Sequence, residues 1–301
     1  MKKEAMFYHI EEGKIRCVLC PHYCLIAREH IGFCGVRQCR ESGGELKLFT
    51  LNYGEITSTS LDPLKKKPLY HFYPEDNILS IGTFGCNFKC SFCQNYSISQ
   101  YRPETQYVQP DEMADISLNN SESIGLAFTY NEPSIWYEYV YDVSKEIKNR
   151  NQDHKIVLVT NGYINEEPLK QLLPYVDAMN VDLKGDEEFY KSICAGKLEP
   201  VKDTIRLADQ MGCHIEVTTL LIPGENNSHE TLEKLGEFLA SVNKDIVLHV
   251  SRYFPRYKMK RPPTDIEDMK NAYRQLRTRL NNVYVGNISS EEMKYIVQLE
   301  S

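Results

Sequence analysis

The 301-residue sequence has little of what would hold it on nucleic acid or in a membrane. Lys and Arg number 35 against 42 Asp and Glu, so the formal net charge is -7 and no basic field is available for a phosphate backbone. No apolar run approaches the length that spans a bilayer, and the two lysines at the start have no apolar stretch behind them. These absences predict a cytoplasmic protein that binds neither nucleic acid nor a membrane.

The sequence also has no internal repeat, no low-complexity tract and no long flexible linker. Its length allows either one barrel-sized domain or a barrel with a small appendage. What it has in excess is cysteine, with ten residues in a chain that carries no secretory signal. Since cytosolic thiols are kept reduced, these cysteines favour metal binding over disulfides.

After residue 78, short apolar runs alternate with longer amphipathic stretches, which predicts parallel strands each followed by a helix. The predicted strands cover residues 79–84, 125–129, 155–160, 178–183, 215–222, 246–251 and 283–285. The predicted helices cover residues 134–149, 167–173, 201–211, 230–241 and 266–280. The pattern predicts an α/β fold, with a complete or partial (β/α) TIM-type barrel over residues 75–301 and a small Cys-rich amino-terminal region, residues 1–74, packed on it.

Polar segments follow the predicted strands at the ends where barrel enzymes carry their chemistry. In chain order these segments are GCNFKCSFCQN, TYNEP, TNGY, DLKG, PGEN and SRYFP. Because the carboxyl ends of parallel strands meet at one edge, all six would share one rim. The sequence therefore predicts the active site there.

Three cysteines directly after the first predicted strand form the motif CxxxCxxC: Cys86, Cys90 and Cys93. Iron–sulfur clusters are normally held by four thiolates, so three in a tight loop leave one iron open to an external ligand. The alternatives are a zinc site with a fourth ligand elsewhere or a redox cysteine pair, but zinc knuckles usually contain two separated CxxC pairs. The motif favours a [4Fe–4S] cluster with chemistry at the open iron.

At this motif the sequence resembles the radical S-adenosylmethionine (SAM) superfamily, in which CxxxCxxC after the first barrel strand binds the catalytic cluster. The resemblance implies that the amino and carboxylate groups of S-adenosylmethionine chelate the open iron. It further implies reductive cleavage to a 5′-deoxyadenosyl radical, which abstracts hydrogen from a substrate. An electron donor such as flavodoxin or ferredoxin is implied as a partner.

The resemblance also implies cofactor-binding residues near the motif. Phe92 matches an aromatic position beside the adenine, although an anchor for the loop would use the same side chain. Glu132 lies where relatives often carry Gly-Gly-Glu-Pro, so its carboxylate would accept from the cofactor's ammonium group; the alternative is a cap for the helix that starts near Pro133. This chain has Tyr130 and Asn131 in place of the two glycines, and Asn131 is included in the implied set.

The segments TNGY and DLKG are similar to those of pyruvate formate-lyase activating enzymes. By that similarity Asn161, Asp182 and Lys184 lie near the cofactor, with Lys184 facing its carboxylate. A buried charge is costly unless paired, so an Asp and a Lys two residues apart on one side of a strand end suit a polar site. An ordinary ion pair at a strand end is the alternative.

The catalytic residues are not fixed by these motifs. His249 and Arg252 end the sixth predicted strand and are candidates for substrate contact, although a lone histidine in a strand is more often a hydrogen-bonded core residue. The turn DPLKKKPLYHFYP fits the same family, and the resemblance implies that Lys67 and His71 lie near the mouth of the active site. His71 is thus a third candidate.

Four amino-terminal cysteines are spaced CxxCxxxCx9C and can bring four thiolates to one ion or cluster. They are Cys17, Cys20, Cys24 and Cys34. The ligand count favours zinc, whereas the company of the first cluster favours a second iron–sulfur cluster, and the spacing does not separate the two. Cys39 is an alternative ligand. The isolated Cys194 and Cys213 are predicted to behave as small buried hydrophobes.

Over nearly its full length the sequence resembles the radical SAM proteins of the AmmeMemoRadiSam system, which share the front motifs seen here as CVLCPHYC and GFCGVR. This resemblance implies Memo-type and AMMECR-type proteins as partners and gives no reaction. One alternative is a glycyl-radical enzyme activase, although activases usually carry extra cysteines after the CxxxCxxC loop. Another is an iron–sulfur or zinc scaffold or electron carrier, which would not need the polar rim.

Overall fold

The computed structural model describes residues 3–297, which form two small antiparallel sheets, a two-stranded ribbon and one large sheet. The strands in chain order are Lys3–Glu4 (β1), Tyr8–Glu11 (β2), Lys14–Cys17 (β3), Leu25–Ile26 (β4), Arg37–Ser42 (β5), Glu45–Thr50 (β6), Glu55–Ile56 (β7), Ser58–Pro63 (β8), Asn77–Gly82 (β9), Gln106–Tyr107 (β10), Gly125–Phe128 (β11), Lys155–Thr160 (β12), Ala178–Asp182 (β13), His214–Leu221 (β14), Val247–Arg252 (β15) and Asn282–Gly286 (β16).

Helices alternate with the later strands. They are Tyr96–Ser99 (α1), Pro110–Leu118 (α2), Tyr137–Arg150 (α3), Glu166–Leu172 (α4), Glu187–Phe189 (α5), Glu199–Gln210 (α6), His229–Val242 (α7), Ile266–Arg277 (α8) and Ser290–Val297 (α9). Short 3-10 turns cover Leu64–Lys66, Pro133–Trp136 and Leu173–Tyr175, and a π turn covers Tyr190–Cys194. No helix among residues 3–297 has both the length and the apolar character to cross a bilayer.

The large sheet has the spatial order β16-β15-β14-β13-β12-β11-β9-β8. Seven of its strands are parallel, and β8 is added antiparallel to the edge strand β9. In the described part of the chain β8 and β16 do not pair, so the sheet curves without closing. This is a partial (β/α) barrel and confirms the predicted α/β fold class.

Continuous apolar runs explain why the parallel strands form where the sequence predicts them. β12 reads KIVLVT, with both faces of the strand covered, as in other parallel sheets. The helices supply the outer layer: α3 buries Val140, Val143 and Ile147, one turn apart, in the same core as Ile156 and Leu158 of β12. Full burial of each such side chain contributes about 1.5–3 kcal/mol.

Several elements of the fold were not predicted, among them β8, α2 and α9. β8 reads STSLDP, whose hydroxyl and acidic residues give no apolar run, and its terminal proline is tolerated because the strand lies at the sheet edge. α2 starts at Pro110 with a capping box between Gln109 and Glu112, and α9 is a short helix that follows the last strand. All of the predicted strands and helices are present, with bounds that differ by a few residues.

Residues 64–76 form a strap across the amino edge of the barrel. The strap starts where β8 ends, and Pro63 pairs with Asn77, the first residue of β9. Leu64 and Leu69 are fully buried against residues from the starts of the parallel strands. These partners are Ile78, Ala127, Val157 and Ala178. The strap therefore plugs the end of the barrel opposite the rim.

The amino-terminal region packs on the rim side through hydrogen bonds to loops of the barrel. The side chain of Asn165 donates to the carbonyl of Val18 at 2.7 Å, and the indole of Trp136 donates to the carbonyl of Asn52 at 2.6 Å. The region thus places its cysteines next to the loop that follows β9.

Candidate active site

The CxxxCxxC loop leaves the carboxyl end of β9 and turns sharply at Gly85. Gly85 has φ +89°, and a Cβ there would lie 2.5 Å from Val36 Cγ1 and 2.9 Å from the Cys34 carbonyl oxygen. Only glycine satisfies both the backbone conformation and the close approach. Cys90 is buried and Cys86 and Cys93 are half-buried, so the three thiols lie at the rim under partial cover.

Each thiol of the motif has a specific neighbour. Cys86 Sγ accepts from the backbone amide of Phe88 at 3.3 Å and from Asn161 Nδ2 at 3.7 Å. Cys93 Sγ lies 3.2 Å from the hydroxyl oxygen of Ser99. Donors around a sulfur stabilise its anionic, metal-binding form and tune a cluster held by it. The surroundings of the loop therefore suit thiolate ligands.

The protein environment alone disfavours the thiolate form of these cysteines. Burial raises the pKa of Cys86 well above its ordinary value, and it also raises the pKa of Cys93. A hydrogen bond with Cys194, together with burial, raises the pKa of Cys90. Metal binding would replace these protons, as is general for cysteine sites.

Asn131 and Glu132 hold the rim together after the second parallel strand of the barrel. Asn131 accepts from the amide of Thr83 at 3.1 Å and donates to the carbonyl of Gly85 at 2.9 Å, so it braces the start of the cysteine loop. Glu132 is fully buried, and its Oε1 accepts from the amide of Ser134 at 2.8 Å. Glu132 therefore does cap the turn that starts at Pro133, the alternative that the sequence left open.

The third strand connects to both Glu132 and the cysteine loop. Thr160 donates its hydroxyl to Glu132 Oε1 at 2.6 Å, and the amide of Asn161 donates to Glu132 Oε2 at 2.7 Å. The Asn161 side chain donates to Asn87 Oδ1 at 2.8 Å as well as to Cys86. Glu132 Oε2 keeps room for one more donor, since a carboxylate has about four acceptor positions.

Asp182 and Lys184 form an ion pair of 2.6 Å beside the motif. Lys184 Nζ lies 6.0 Å from the centre of the Phe92 ring, which is buried and faces Phe189. Burial alone would lower the pKa of Lys184, but the Asp182 carboxylate and the nearby Cys90 hold it well above its ordinary value. The Lys184 side chain is 13% exposed and that of Asp182 38%, so the pair reaches toward open space.

Tyr130 was not assigned a role from the sequence. It has φ +69°, a left-handed conformation that favours glycine, which is the residue that the resemblance implies at this position. Its hydroxyl donates to Asp62 at 2.9 Å, and Lys67 donates to the same carboxylate at 2.8 Å while lying 4.7 Å from the Tyr130 ring. The signal that could have found it was the departure from glycine itself. Tyr130 thus fills the barrel interior below the cysteine loop.

The loop after β15 adds a second feature that sequence reasoning missed. The amides of Lys258 and Met259 both donate to the carbonyl of Ser91, between two motif cysteines, at 2.9 and 3.0 Å. Tyr257 stacks on Tyr96 with ring centres 4.5 Å apart. Residues 254–263 therefore cover one side of the motif.

The structure places two of the candidate catalytic residues, His71 and His249, at Glu216 near the amino edge of the barrel. His71 is in the amino-edge strap, where its ring contacts the Tyr284 hydroxyl at 2.7 Å. The expectation that His71 lies near the mouth is corrected: β8 runs antiparallel to β9, which carries the following strap to the opposite edge. Lys67 starts from the same strap, but its side chain is buried with Nζ 4.7 Å from the centre of the Tyr130 ring inside the barrel. His249 is buried and donates to Glu216 at 2.6 Å, as the core alternative predicted.

Arg252 is held by two protein partners at the end of β15. It donates to the carbonyl of Thr264 at 2.7 Å and forms an ion pair with Glu292 at 3.0 Å. It therefore braces the loop and α9.

The four amino-terminal cysteines line a common cavity, as their spacing predicts. The cavity is lined by Cys17, Leu19, Cys20, His22, Cys24, Ile26, Gly32, Cys34, Arg37 and Ile135. Cys39 is buried in β5 and does not line it. Burial raises the pKa of Cys34 to about 11 and also raises that of Cys20. Among residues 3–297 no three His, Cys, Asp or Glu side chains already converge on a single-ion position, in either cysteine group.

The rim of the partial barrel carries three cysteines, a buried carboxylate and a Lys–Asp pair, groups that suit a metal cluster and a charged organic cofactor. The sequence profile of the Radical SAM superfamily matches residues 80–238, more than half of the chain. The protein therefore belongs to the radical SAM superfamily. It is an enzyme whose cofactors are a [4Fe–4S] cluster and S-adenosylmethionine, and the scaffold or electron-carrier alternative is set aside.

Individual relatives agree with this membership. An uncharacterized protein of Methanocaldococcus jannaschii is 38% identical over 297 residues, covering 96% of this chain and 86% of the relative. The pyruvate formate-lyase-activating enzyme of Staphylococcus epidermidis is 24% identical over 216 residues, covering 64% of this chain and 85% of the relative. The crystal structure of a radical SAM methyltransferase from Sphaerobacter thermophilus has a TM-score of 0.55 at 17% identity, with 86% and 75% covered, and shares the fold.

Proposed function

We propose that this enzyme binds its cluster through Cys86, Cys90 and Cys93 and uses it to abstract hydrogen from a partner protein. The observation that carries the proposal is the convergence at one rim. The CxxxCxxC thiols follow β9, Asn161 after β12 donates to Cys86, and the Lys184–Asp182 pair after β13 lies beside Cys90 and Phe92. Three protein sulfurs leave one iron for S-adenosylmethionine.

When bound, the cluster and S-adenosylmethionine supply an electron and a cleavable sulfonium bond, from which a 5′-deoxyadenosyl radical arises. The protein's residues bind and orient. In this proposal Lys184 meets the cofactor's carboxylate, Glu132 Oε2 accepts from its ammonium group and Phe92 contacts the adenine. Asn131 and Asn161 fix the cysteine loop relative to these groups.

The proposed partners follow from the resemblance to the AmmeMemoRadiSam proteins and from the needs of the chemistry. Memo-type and AMMECR-type proteins are the candidate substrates or assembly partners, and flavodoxin or ferredoxin is the candidate electron donor.

A glycyl-radical enzyme is the second candidate partner. The relatives support it, since one is named a pyruvate formate-lyase-activating enzyme and another, from Methanocaldococcus jannaschii, a putative glycyl-radical enzyme activating enzyme. In that case the abstracted hydrogen would come from a backbone glycine of the partner. Each candidate partner is incubated with the enzyme in two forms, one deuterated only at glycine and one deuterated uniformly. Deuterium appears in 5′-deoxyadenosine only when the labelled position is the one that loses hydrogen, so the two labels separate the candidates.

Cleavage of S-adenosylmethionine by anaerobically reconstituted, reduced protein tests the cluster assignment. We expect methionine and 5′-deoxyadenosine from the native chain and none from Cys90→Ala, because the cluster loses a ligand. Cys194→Ala is the matched control, since Cys194 is buried and hydrogen-bonded to Cys90 but lies outside the motif. It should retain cleavage. Persistent product from Cys90→Ala would overturn the assignment.

A further inference from the structure

The cysteine cavity of the amino-terminal region is a second site that the proposed function does not use. Four of its lining residues are cysteines, and the apolar side chains of Leu19, Ile26 and Ile135 complete part of the wall, Ile135 coming from the barrel. The fifth cysteine of the region, Cys39, is completely buried in β5 and takes no part. Four of the five amino-terminal cysteines therefore share one cavity, and the fifth is an ordinary core residue.

A buried cation lies beside these sulfurs. The guanidinium of Arg37 is 1% exposed, donates to the Met6 carbonyl at 2.8 Å and points Nη1 at Cys17 Sγ at 3.7 Å. It is ion-paired to Glu138 of α3, which is equally buried. Arg37 Nε and Glu138 Oε2 have no hydrogen-bond partner among the described residues. A guanidinium buried against a sulfur is costly unless negative charge lies close to it.

The cavity is joined directly to the catalytic loop. The amide of Cys86 donates to the carbonyl of Cys34 at 3.3 Å. His22, which lines the cavity, contacts the carbonyl of Asn87 through Nε2 at 2.7 Å. Val36 packs against Gly85 so closely that no side chain fits between them. The positions of the two cysteine groups therefore depend on each other.

We propose that Cys17, Cys20, Cys24 and Cys34 bind a second metal centre, closed by four thiolates, that fixes the turn on which the CxxxCxxC loop rests. Four sulfurs fill the coordination of either a zinc ion or a four-iron cluster and leave no open position, so this centre does not bind S-adenosylmethionine. A zinc ion there would support the fold, and a cluster would also carry electrons. Arg37 is a positioning residue that offsets the thiolate charge at Cys17.

Metal analysis of a chain that lacks the first cluster tests this centre apart from the proposed function. In the Cys86→Ala, Cys90→Ala, Cys93→Ala variant, purified without oxygen, we expect either one zinc or one four-iron cluster per chain. Plasma emission analysis distinguishes zinc from iron, and the electron paramagnetic resonance spectrum of the reduced protein identifies a cluster. A metal-free variant that shows native-like circular dichroism would overturn the proposal.

Adding Cys20→Ala and Cys24→Ala to that background should remove the remaining metal. Adding Cys39→Ala instead should leave it unchanged, because Cys39 is a buried cysteine of the same region that lies outside the cavity. If the variant without Cys20 and Cys24 fails to fold, release of metal from the triple variant by a thiol-modifying reagent, followed by mapping of the modified cysteines, gives a second measurement. Modification confined to cysteines outside the four as metal is released would contradict the proposal.

Discussion

Two glutamates at opposite edges of the barrel are both completely buried, yet their surroundings differ in kind. Glu132 is at the rim with the cysteine motif, and Glu216 is at the amino edge under the strap. Glu216 accepts from the amides of Tyr70 and His71 at 2.9 and 2.7 Å and from the rings of His214 and His249 at 3.1 and 2.6 Å.

The electrostatic outcome is opposite for the two carboxyl groups. Burial alone would raise the pKa of Glu216, but donors from His214, His249 and the strap lower it to about 2. Burial raises the pKa of Glu132, and its neutral donors, among them Asn161 and Thr160, do not reverse the shift. Two of the four donors to Glu216 are imidazole rings, whereas the donors to Glu132 are backbone amides and neutral hydroxyls. Glu216 therefore fastens the fold, and a cofactor cation at Glu132 stays part of the proposed function.

The largest effect should come from removing the Glu216 carboxylate. Glu216→Ala is expected to lower the free energy of unfolding by about 3–5 kcal/mol, because the amides of Tyr70 and His71 and the rings of His214 and His249 lose their hydrogen-bond acceptor. Urea denaturation followed by circular dichroism measures the change. The exposed Glu122→Ala is the control and should stay within about 0.5 kcal/mol of the native chain. A loss no larger than the control's would contradict the assigned role of Glu216.

The carboxylate of Glu216 also makes the stability of the protein depend on pH. Its pKa is lower in the folded chain, about 2 against 4.5, so its stabilisation is present above pH 4.5 and is lost as the pH falls toward 2. The loss amounts to about 3 kcal/mol. Denaturation between pH 5 and 2 should therefore show the stability gap between the native chain and Glu216→Gln shrinking by this amount. A gap that stays constant over that range would show that Glu216 is not selectively stabilised as the anion.

A smaller effect, expressed in binding, is expected at the rim. Glu132→Gln should weaken the affinity for S-adenosylmethionine about 10- to 100-fold, because a hydrogen bond to a charged group contributes about 1.5–3 kcal/mol. Isothermal titration of the reconstituted protein measures it, with Glu122→Gln as control. Equal affinity in the native chain and Glu132→Gln would remove Glu132 from the cofactor site and leave it a cap alone.

The difference between the edges also shows what the sequence could predict. Parallel strands such as β12 carry continuous apolar runs, and CxxxCxxC is a local motif, so both were found from short windows. The Glu216 network was not found, because its donors come from β14, β15 and the strap, and only the fold brings them together. The same holds for the hydrogen bond between Cys90 and Cys194.

The misplacement of His71 has the same origin. The segment DPLKKKPLYHFYP is recognisable locally, but its edge of the barrel is set by β8, whose antiparallel pairing with β9 was not predicted. Arg37 was missed because nothing in its own segment shows that Glu138 and Cys17 will surround it. The cofactor-site residues, the cytoplasmic location, the division at residue 75 and the named partners stay predictions.

The electron paramagnetic resonance spectrum of the reduced [4Fe–4S] cluster, recorded with and without S-adenosylmethionine in the native chain and in Cys194→Ala, tests the central claim most directly. A cluster on Cys86, Cys90 and Cys93 alone has an iron free to bind the cofactor, so the account predicts that the spectrum shifts when S-adenosylmethionine is added. An unshifted spectrum, together with loss of the cluster in Cys194→Ala, would show that a fourth thiolate closes the site and would contradict the account.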